Sequence, residues 1–286
     1  MKYIDIPNQP RNRAVSHETM EWPKGKKSAL FLSFDFDAET GWIDENPNDW
    51  HKEVAVSHGG YGARVGVRKI LELLQQLELN ATFFVPGWVA LAHTEVCENI
   101  LIGGHEIGHH GMYHLLPSAD DRDRAIEEID KGFEALKNQL GVQPVGYRAP
   151  LGENSGEFLD YLYSRGIRYS SSWRDDVLPY RHVLENGSPA PIELPANYFF
   201  DDWMHSMIKG SGRNFVAPEL VQSIWRAELD ETHDWGALTT TVYHPQVSGR
   251  PSPLRTLREF LGYAKSKDDL WITTGERIAR HVETTL

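Results

Sequence analysis

Cysteine is nearly absent from this sequence of 286 residues, which contains only Cys97. A single cysteine cannot form an internal disulfide framework or a zinc site made of several thiolates. Long apolar runs are missing as well, and no stretch approaches the roughly 20 apolar residues of a transmembrane helix. The N-terminal residues lack the apolar core of a signal peptide. We therefore expect a cytoplasmic protein that has no membrane partner.

Basic residues are in the minority, because Lys and Arg number 29 against 41 Asp and Glu, which gives a formal net charge of −12. This charge disfavours nucleic acid and anionic membrane surfaces as partners, since their phosphates would be repelled. The length suits one large domain. Residues 1–27 are polar and contain three prolines. We predict an irregular N-terminal arm there and a single α/β domain over residues 28–286.

Segments typical of buried strands and of amphipathic helices alternate about seven times after the arm. The predicted strands cover residues 28–36, 80–85, 106–109, 145–148, 167–170, 192–194, 236–243 and 270–272. The predicted helices cover residues 64–77, 94–102, 121–140, 155–165, 218–229, 254–264 and 275–281. This alternation predicts a mostly parallel sheet covered by helices. Residues 41–60, rich in tryptophan, asparagine and glycine, are predicted to form a long functional loop.

Four of the thirteen histidines fall within ten residues of the chain, and imidazole is the commonest ligand of a catalytic metal. Two registers compete within this cluster. His105, Glu106 and His109 match the H-E-x-x-H motif of zinc peptidases, which requires a helix. Glycines flank and interrupt the segment, and glycine disfavours a helix interior. The other register pairs His110 with His114 after a short strand, and it needs a third ligand from elsewhere.

Asp35 and Asp37 end the first predicted strand, and the alternation of side chains points both carboxylates to one side. Two carboxylates aimed at one point repel each other unless a cation lies between them. A metal at His110 and His114 would supply that cation, because two histidines and one carboxylate form a common catalytic zinc set. The other aspartate would stay off the metal as a general base for the bound water.

Two further polar residues follow later strands and should reach the same edge of the sheet. Arg148 is expected to pair with a carboxylate there, and its natural partner is the base, Asp35. His244 could protonate the leaving group of a reaction if a carboxylate held its other ring nitrogen. Asp175 and Asp176 are both candidates for that carboxylate.

The motifs that carry these residues resemble those of the polysaccharide deacetylase family. SFDFD is similar to the aspartate motif, in the Asp-x-Asp form of an atypical subgroup that includes a Helicobacter-type peptidoglycan deacetylase and cyclic imide hydrolases. The histidine motif is matched by His110-x3-His114, and the Arg-x-Pro motif by residues 148–150. TTVYHP resembles the strand-histidine motif, and SSSWRDDVLPY loosely resembles the aspartate-bearing loop. The resemblance covers residues 28–283.

The resemblance implies one divalent metal ion, expected to be zinc, with cobalt, manganese or nickel as alternatives. The implied ligands are Asp37, His110 and His114. The implied catalytic residues are Asp35 as the base, Arg148 as the residue that holds the base, His244 as the general acid, and Asp176, or else Asp175, as the partner of His244.

The implied fold is a distorted (β/α) barrel of about seven parallel strands, and the implied activity is hydrolysis of an amide bond. Removal of an N-acetyl group from an amino sugar or oligosaccharide is the first hypothesis. Hydrolysis of a small cyclic imide or ureide is the alternative, which a cytoplasmic location favours. Candidate sugar-stacking residues are Trp42, Trp88 and Trp203. Barrels with long aromatic loops often pair through them, which favours a homo-oligomer.

Overall fold

The computed structural model of the chain describes residues 13–14, 19–43, 50–117, 121–152, 156–184, 187–206 and 216–285. The strands are β1 Arg13–Ala14, β2 Ser28–Phe31, β3 Ser33–Asp35, β4 Thr82–Val85, β5 Glu106–His109, β6 Gly146–Tyr147, β7 Tyr169–Ser170, β8 Tyr180–His182, β9 Ile192–Glu193, β10 Leu238–Thr240 and β11 Leu270–Thr273. The helices are α1 Glu53–Tyr61, α2 Val67–Gln76, α3 Gly87–Ala92, α4 Thr94–Ile102, α5 Arg122–Leu140, α6 Leu159–Ser164, α7 Asp202–Ser206, α8 Pro218–Asp234, α9 Pro245–Ser248, α10 Pro251–Lys265 and α11 Gly275–Thr285.

The first buried strand of the domain forms where its apolar run predicts it, but in two pieces. The interruption at Leu32 has a topological cause, because the two halves pair with different neighbours. β2 lies between β10 and β11, and all three strands run parallel. β3 pairs instead with β4. Every residue of β2 and β3 is buried, which is the pattern of a strand covered on both faces.

From β3 the sheet continues through parallel neighbours in the order β4, β5, β6, β7 and β9. The antiparallel strands β8 and β1 complete that edge. Isolated parallel bridges link Phe34 with Tyr243 and Asp201 with Val242. The predicted fold class, a distorted (β/α) barrel of mainly parallel strands, is confirmed. The division into an arm of residues 1–27 and a barrel stays a prediction, although Arg13–Ala14 extends the sheet as an edge strand.

Local signals account well for α5, which ends where its sequence predicts. The side chain of Asp121 accepts a hydrogen bond from the backbone N–H of Arg124 at 3.3 Å and so caps the first turn. Gly141 ends the helix in the left-handed conformation, with φ of 67°. Six of its residues are buried against the sheet and neighbouring helices. Across the part of the chain that the structure describes, no helix combines the length and apolarity needed to traverse a membrane.

The predicted loop over residues 41–60 is wrong for its second half, which forms α1. α1 continues through a π-helical turn, Gly62–Gly66, into α2. Glycine has a low helix propensity, and this favoured a loop. Gly59 is nevertheless needed within the helix, because a Cβ at this position would overlap the carbonyl oxygen of Ala38. Residues 44–49 of the predicted loop lie outside the described residues.

The short helix α9 packs closely against the backbone of the π-helical turn. A Cβ on Gly66 would overlap the carbonyl oxygen of Pro245, and a Cβ on Gly249 would overlap the Cα of Gly66. Such π-turns inside helices are frequently found at functional sites. α9 directly follows His244, so this close contact lies next to the segment that carries His244.

A single added methyl group should therefore have opposite effects at two helical glycines. Gly66→Ala should lower the free energy of unfolding by about 1–3 kcal/mol through overpacking. Gly262→Ala, at an exposed position of α10 with no atom within 4 Å of the added Cβ, should raise it by about 0.5–1 kcal/mol. Urea denaturation of both variants measures the difference. Equal effects of the two substitutions would contradict the close approach.

Candidate active site

One cavity of about 660 Å³ opens at the carboxyl ends of the strands, where ligands bind in parallel α/β folds. It is lined by side chains that follow β3, β5 and β6 and by the residues that follow β10. The lining residues are Asp35, Asp37, Gly41, His110, His114, Arg148, Leu151, Gly152, Ser171, Arg174, Ala196, Tyr198, Asp201, Trp203, Met204, Val242 and His244. All six residues that were predicted with a single role at this edge line the cavity: Asp35, Asp37, His110, His114, Arg148 and His244.

The three predicted metal ligands meet on one side of this cavity. Oδ1 of Asp37 lies 3.4 Å from Nε2 of His110 and 3.7 Å from Nε2 of His114. In a tetrahedral zinc site with bonds of about 2.1 Å, two ligand atoms are roughly 3.4 Å apart. Asp37 Oδ1 is buried, and no described residue gives it a hydrogen bond. A buried carboxylate oxygen without a donor is costly, so the triad fits a divalent cation.

Hydrogen bonds outside the triad orient the ligand atoms. Nδ1 of His110 donates to the carbonyl oxygen of Arg148 at 2.8 Å, which leaves the lone pair of Nε2 facing Asp37. Oε2 of Glu128, on α5, accepts from the backbone N–H groups of Met112 and Tyr113 at 3.1 and 2.9 Å. Glu128 thereby holds the turn that leads from the first histidine to the second.

The backbone is strained next to two of these ligands. His114 has φ of 61° and Ala38, which follows Asp37, has φ of 48°, both in the left-handed region. Residues with a Cβ rarely adopt this conformation, and such strain concentrates at functional sites. The strain fits a site in which the position of the ligand atoms takes precedence over backbone preference.

The protonation states of the triad suit metal binding. Burial would raise the pKa of Asp37, but the nearby imidazoles of His114, His110 and His244 hold it well below its ordinary value. Burial lowers the pKa of His114 to about 4, although the charge of Asp37 opposes the shift. At neutral pH the site therefore combines a carboxylate with a neutral imidazole, the forms that a metal binds.

Asp35 pairs with Arg148, as predicted. Nη1 of Arg148 donates to Oδ1 of Asp35 at 2.6 Å, and Arg148 is only 2% exposed. The guanidinium also donates to Ser33 Oγ and to Oγ and the carbonyl oxygen of Ser171, at 2.9 to 3.0 Å. Oδ2 of Asp35 lies 4.0 Å from Nε2 of His110. Asp35 is thus fixed beside the triad without belonging to it.

The predicted partner of His244 is wrong. Nδ1 of His244 lies 2.7 Å from Oδ1 of Asp202, a residue of α7, and the backbone N–H of His244 donates to both oxygens of the same carboxylate. Ser248 Oγ donates to Asp202 as well. Asp176 accepts from the backbone N–H groups of Val177 and Leu178, at 2.7 and 3.1 Å, so it caps its own turn.

Asp175, the other candidate, accepts a hydrogen bond from the hydroxyl of Tyr180 at 2.8 Å. Asp202 lies in the acidic aromatic run YFFDDW, a signal visible in the sequence. What links this run to His244 is the bridge between Asp201 and Val242, a contact between segments that are far apart in the chain. No local pattern predicts such a bridge.

His244 carries a proton readily in this environment. Burial opposes the charged form, but the hydrogen bond and charge of Asp202, followed by the charges of Asp37 and Asp201, raise the pKa of His244 to about 10. Nε2 of His244 points toward Asp37, with 3.8 Å to Oδ2. Burial raises the pKa of Asp201 to about 6, although the charge of His244 lowers it. The site thus holds an ionised Asp37 next to a protonated imidazole.

The zinc-peptidase alternative is wrong, because its three residues lie in or next to a strand and serve the core. Nε2 of His109 donates to the carbonyl oxygen of Ile129 at 2.8 Å. Nδ1 of His105 accepts from the backbone N–H of Ala81 at 3.2 Å. Glu106 accepts from the hydroxyls of Thr82 and Tyr169. The strand turns His109 away from the cavity and His110 into it.

One of the three candidate stacking tryptophans lines the cavity. Trp203 meets the ring of His244 edge-on, with 5.2 Å between centroids. Trp42 packs behind it, 5.2 Å from the ring of Trp203. Trp88 packs instead against Trp50 and His93, and it is absent from the described lining. Trp203 remains the candidate for contact with a substrate.

Comparison with known proteins agrees with this geometry. The family model described as polysaccharide deacetylase matches residues 59–170. The chain is 27% identical to the peptidoglycan deacetylase of Helicobacter pylori, over 88% of this chain and 95% of that protein. A crystal structure from Mycobacterium smegmatis, assigned to the polysaccharide deacetylases, is 35% identical, with a TM-score of 0.88 and 93% of both chains covered. PuuE allantoinase is similar in fold, with a TM-score of 0.82 at 22% identity and 99% of both chains covered.

The chain belongs to the polysaccharide deacetylase family. Members of this family are hydrolases that act on amide bonds and depend on a divalent metal, and this chain is such a hydrolase. The Asp37, His110 and His114 triad is the group among the cavity-lining residues that suits the metal.

The corrected pairing of His244 can be tested with matched aspartate variants. Asp202→Asn should lower kcat by about 10²- to 10⁴-fold, because the imidazole loses the carboxylate that keeps it protonated and oriented. Asp176→Asn, at the predicted but incorrect partner, should change kcat by less than about 3-fold, since Asp176 does not bind His244 and is absent from the described lining of the cavity. Steady-state kinetics of both variants decide the assignment, and a larger loss for Asp176→Asn would reverse it.

Proposed function

We propose that the protein removes the N-acetyl group from an N-acetylated amino sugar of an oligosaccharide. One observation carries the proposal: a metal-binding triad lies in one cavity with a guanidinium-held carboxylate on one side and a carboxylate-held imidazole on the other. Hydrolysis of an amide uses all three groups. The carboxylate takes a proton from the attacking water, the imidazole gives a proton to the departing nitrogen, and a metal would polarise the carbonyl group.

Zinc is the proposed ion at Asp37, His110 and His114, since two imidazoles and one carboxylate form a common catalytic zinc set. Cobalt, manganese or nickel would accept the same ligands. When bound, the ion supplies a Lewis acid for the amide carbonyl and lowers the pKa of a water molecule.

Asp35 is the proposed general base. Its Oδ1 is held by Arg148, so its rotamer is fixed, and its Oδ2 faces the triad. It accepts the proton of the water that adds to the carbonyl carbon of the acetamide. Arg148 is buried, with Ser33 and Ser171 as further acceptors, so it keeps Asp35 oriented at this distance from the triad. Arg148 acts through Asp35 and is a positioning residue.

His244 is the proposed general acid. Asp202 binds its Nδ1, which leaves the Nε2 proton directed into the cavity. Transfer of this proton to the sugar nitrogen accompanies cleavage of the carbon–nitrogen bond, and the products are acetate and a free amine. Trp203 lies beside His244 and offers an aromatic face to the sugar ring, which presents apolar C–H groups.

A small cyclic ureide or imide is the second candidate substrate. Opening of such a ring breaks the same type of carbon–nitrogen bond and uses the same base and acid. The structural similarity to PuuE allantoinase motivates this candidate, while the 22% identity supports only a common fold.

The different roles of Asp35 and Asp37 should appear in the metal content of their variants. Asp35→Asn should retain the bound metal and lower kcat by about 10²- to 10⁴-fold, because a neutral amide cannot accept the proton. Asp37→Ala should lose the metal, since it removes one of three ligands. Elemental analysis of purified variants, beside turnover, measures both effects. Full activity of Asp35→Asn would overturn its role as the base.

A mixed substrate panel tests the proposed reaction itself. The metal-loaded protein should release acetate from N-acetylglucosamine oligomers and lose this activity on treatment with a chelator, because the triad is then empty. Succinimide, hydantoin and allantoin serve as cyclic competitors. Turnover of the cyclic compounds without acetate release from the sugars would replace the deacetylase proposal by the second candidate.

A further inference from the structure

The cavity contains a second arginine, Arg174, to which the proposed reaction gives no role. Arg148 is neutralised by Asp35 at 2.6 Å. By contrast, no carboxylate of the described chain lies within salt-bridge distance of Arg174. Nη1 of Arg174 donates to the carbonyl oxygens of Gly152 and Ser172, at 2.8 and 3.3 Å. These acceptors are neutral, so they orient the guanidinium without cancelling its charge.

The position of the guanidinium is built into the surrounding backbone. Its central carbon lies 4.1 Å from the ring centroid of Tyr198, so the arginine is stacked on an aromatic face. Gly152 has φ of 67°, and a Cβ there would overlap Nη2 of Arg174. Only glycine fits at position 152, because of both its left-handed backbone and its contact with the guanidinium of Arg174. Nη2 and Nε of Arg174 make no hydrogen bond with any residue that the structure describes, and they remain available as donors.

Each carboxylate that lines the cavity already faces a cationic or imidazole group other than Arg174. Asp35 is paired with Arg148, and Asp37 faces the imidazoles of the metal triad. Asp201 faces His244, with 3.9 Å to Nδ1, and the same nitrogen is bound by Asp202. Arg174 is thus the lining cation, among the described residues, that lacks an anionic counterpart. A partly buried guanidinium with two free donors binds a carboxylate well, because the planar fork matches both oxygens.

We propose that Arg174 binds a carboxylate carried by the substrate and makes the protein selective for acidic N-acetylated amino sugars. The matching sugar carries a carboxylate on a side group next to the acetamide, as the lactyl ether of N-acetylmuramic acid does. This inference rests on the proposed deacetylation, for which it names the substrate class. Arg174 is then a specificity-determining residue, distinct from the groups that move protons.

A matched pair of sugars tests the inference. Acetate release is measured on an oligomer whose reacting unit carries the lactyl carboxylate and on the same oligomer with N-acetylglucosamine in that position. The metal-loaded protein should favour the acidic substrate in kcat/KM. Arg174→Gln should reduce the ratio of the two kcat/KM values by about 10- to 100-fold, mainly through KM for the acidic substrate, since a charge-assisted hydrogen bond is lost. Arg174→Lys should retain part of the preference because the charge remains.

Arg226→Gln is the matched control. Arg226 also stacks on a tyrosine, with 4.8 Å to the ring centroid of Tyr263, but it lies on α8 outside the described cavity lining. Its substitution should leave the ratio unchanged. Metal content and thermal unfolding of each variant verify that the site is intact.

Two results would overturn the inference and leave the deacetylase proposal standing. The first is that the wild-type protein cleaves the neutral sugar but gives no preference for the acidic one. The second is that Arg174→Gln lowers kcat/KM equally for both sugars, which would make Arg174 a support of the loop at Gly152. Failure to release acetate from either sugar would instead refute the deacetylase proposal, and the inference with it.

Discussion

A carboxylate oxygen of Asp37, buried among imidazoles and without a hydrogen-bond donor in the described chain, is the constraint on which the site depends. Such an oxygen is costly inside a protein unless a cation meets it. The left-handed backbone at Ala38 and His114 adds conformational strain at the same site. The glycine contacts bring α9 against the π-helical turn directly after His244, the third histidine that lines the same cavity.

The two carboxylate pairs around this centre give the site its chemical polarity. Arg148 binds and orients the carboxylate of Asp35, whereas Asp202 binds His244 and favours its protonated form. A proton acceptor and a proton donor thus each have a separate charged partner around one cavity, an arrangement that enzymes use to combine a base with an acid. In both pairs the partners come from distant parts of the chain, and serine hydroxyls bind the charged partner: Ser33 and Ser171 on Arg148, Ser248 on Asp202.

Arg174 extends the same logic from catalysis to selection of the substrate. The carboxylates that line the cavity face Arg148 or imidazoles, while the guanidinium of Arg174 is bound only by neutral carbonyl groups. A guanidinium without an anionic partner favours a ligand group that carries negative charge. The net charge of the whole protein, −12, has the opposite sign, so the preference is local to this wall of the cavity.

Patterns of short range determined much of the molecule from the sequence alone. The apolar run before Asp35 and Asp37 predicted the first strand, and the bounds of β5 agree with the prediction residue for residue. The ends of α5 followed from Asp121 and Gly141. Strand alternation and the common edge of parallel strands sufficed to bring Asp37, His110 and His114 together, because these rules involve only a few neighbouring residues and one sheet direction.

Tertiary structure alone decided the rest. Asp202 reaches His244 through a bridge between Asp201 and Val242, and helix α1 forms across glycines because the backbone of Ala38 packs against it. In both cases the deciding contact joins segments that are distant in sequence, and its energy exceeds the local preference that the sequence displays. Periodicity and capping describe what a segment prefers by itself, whereas the partner of a buried charge depends on which segments the completed sheet brings together.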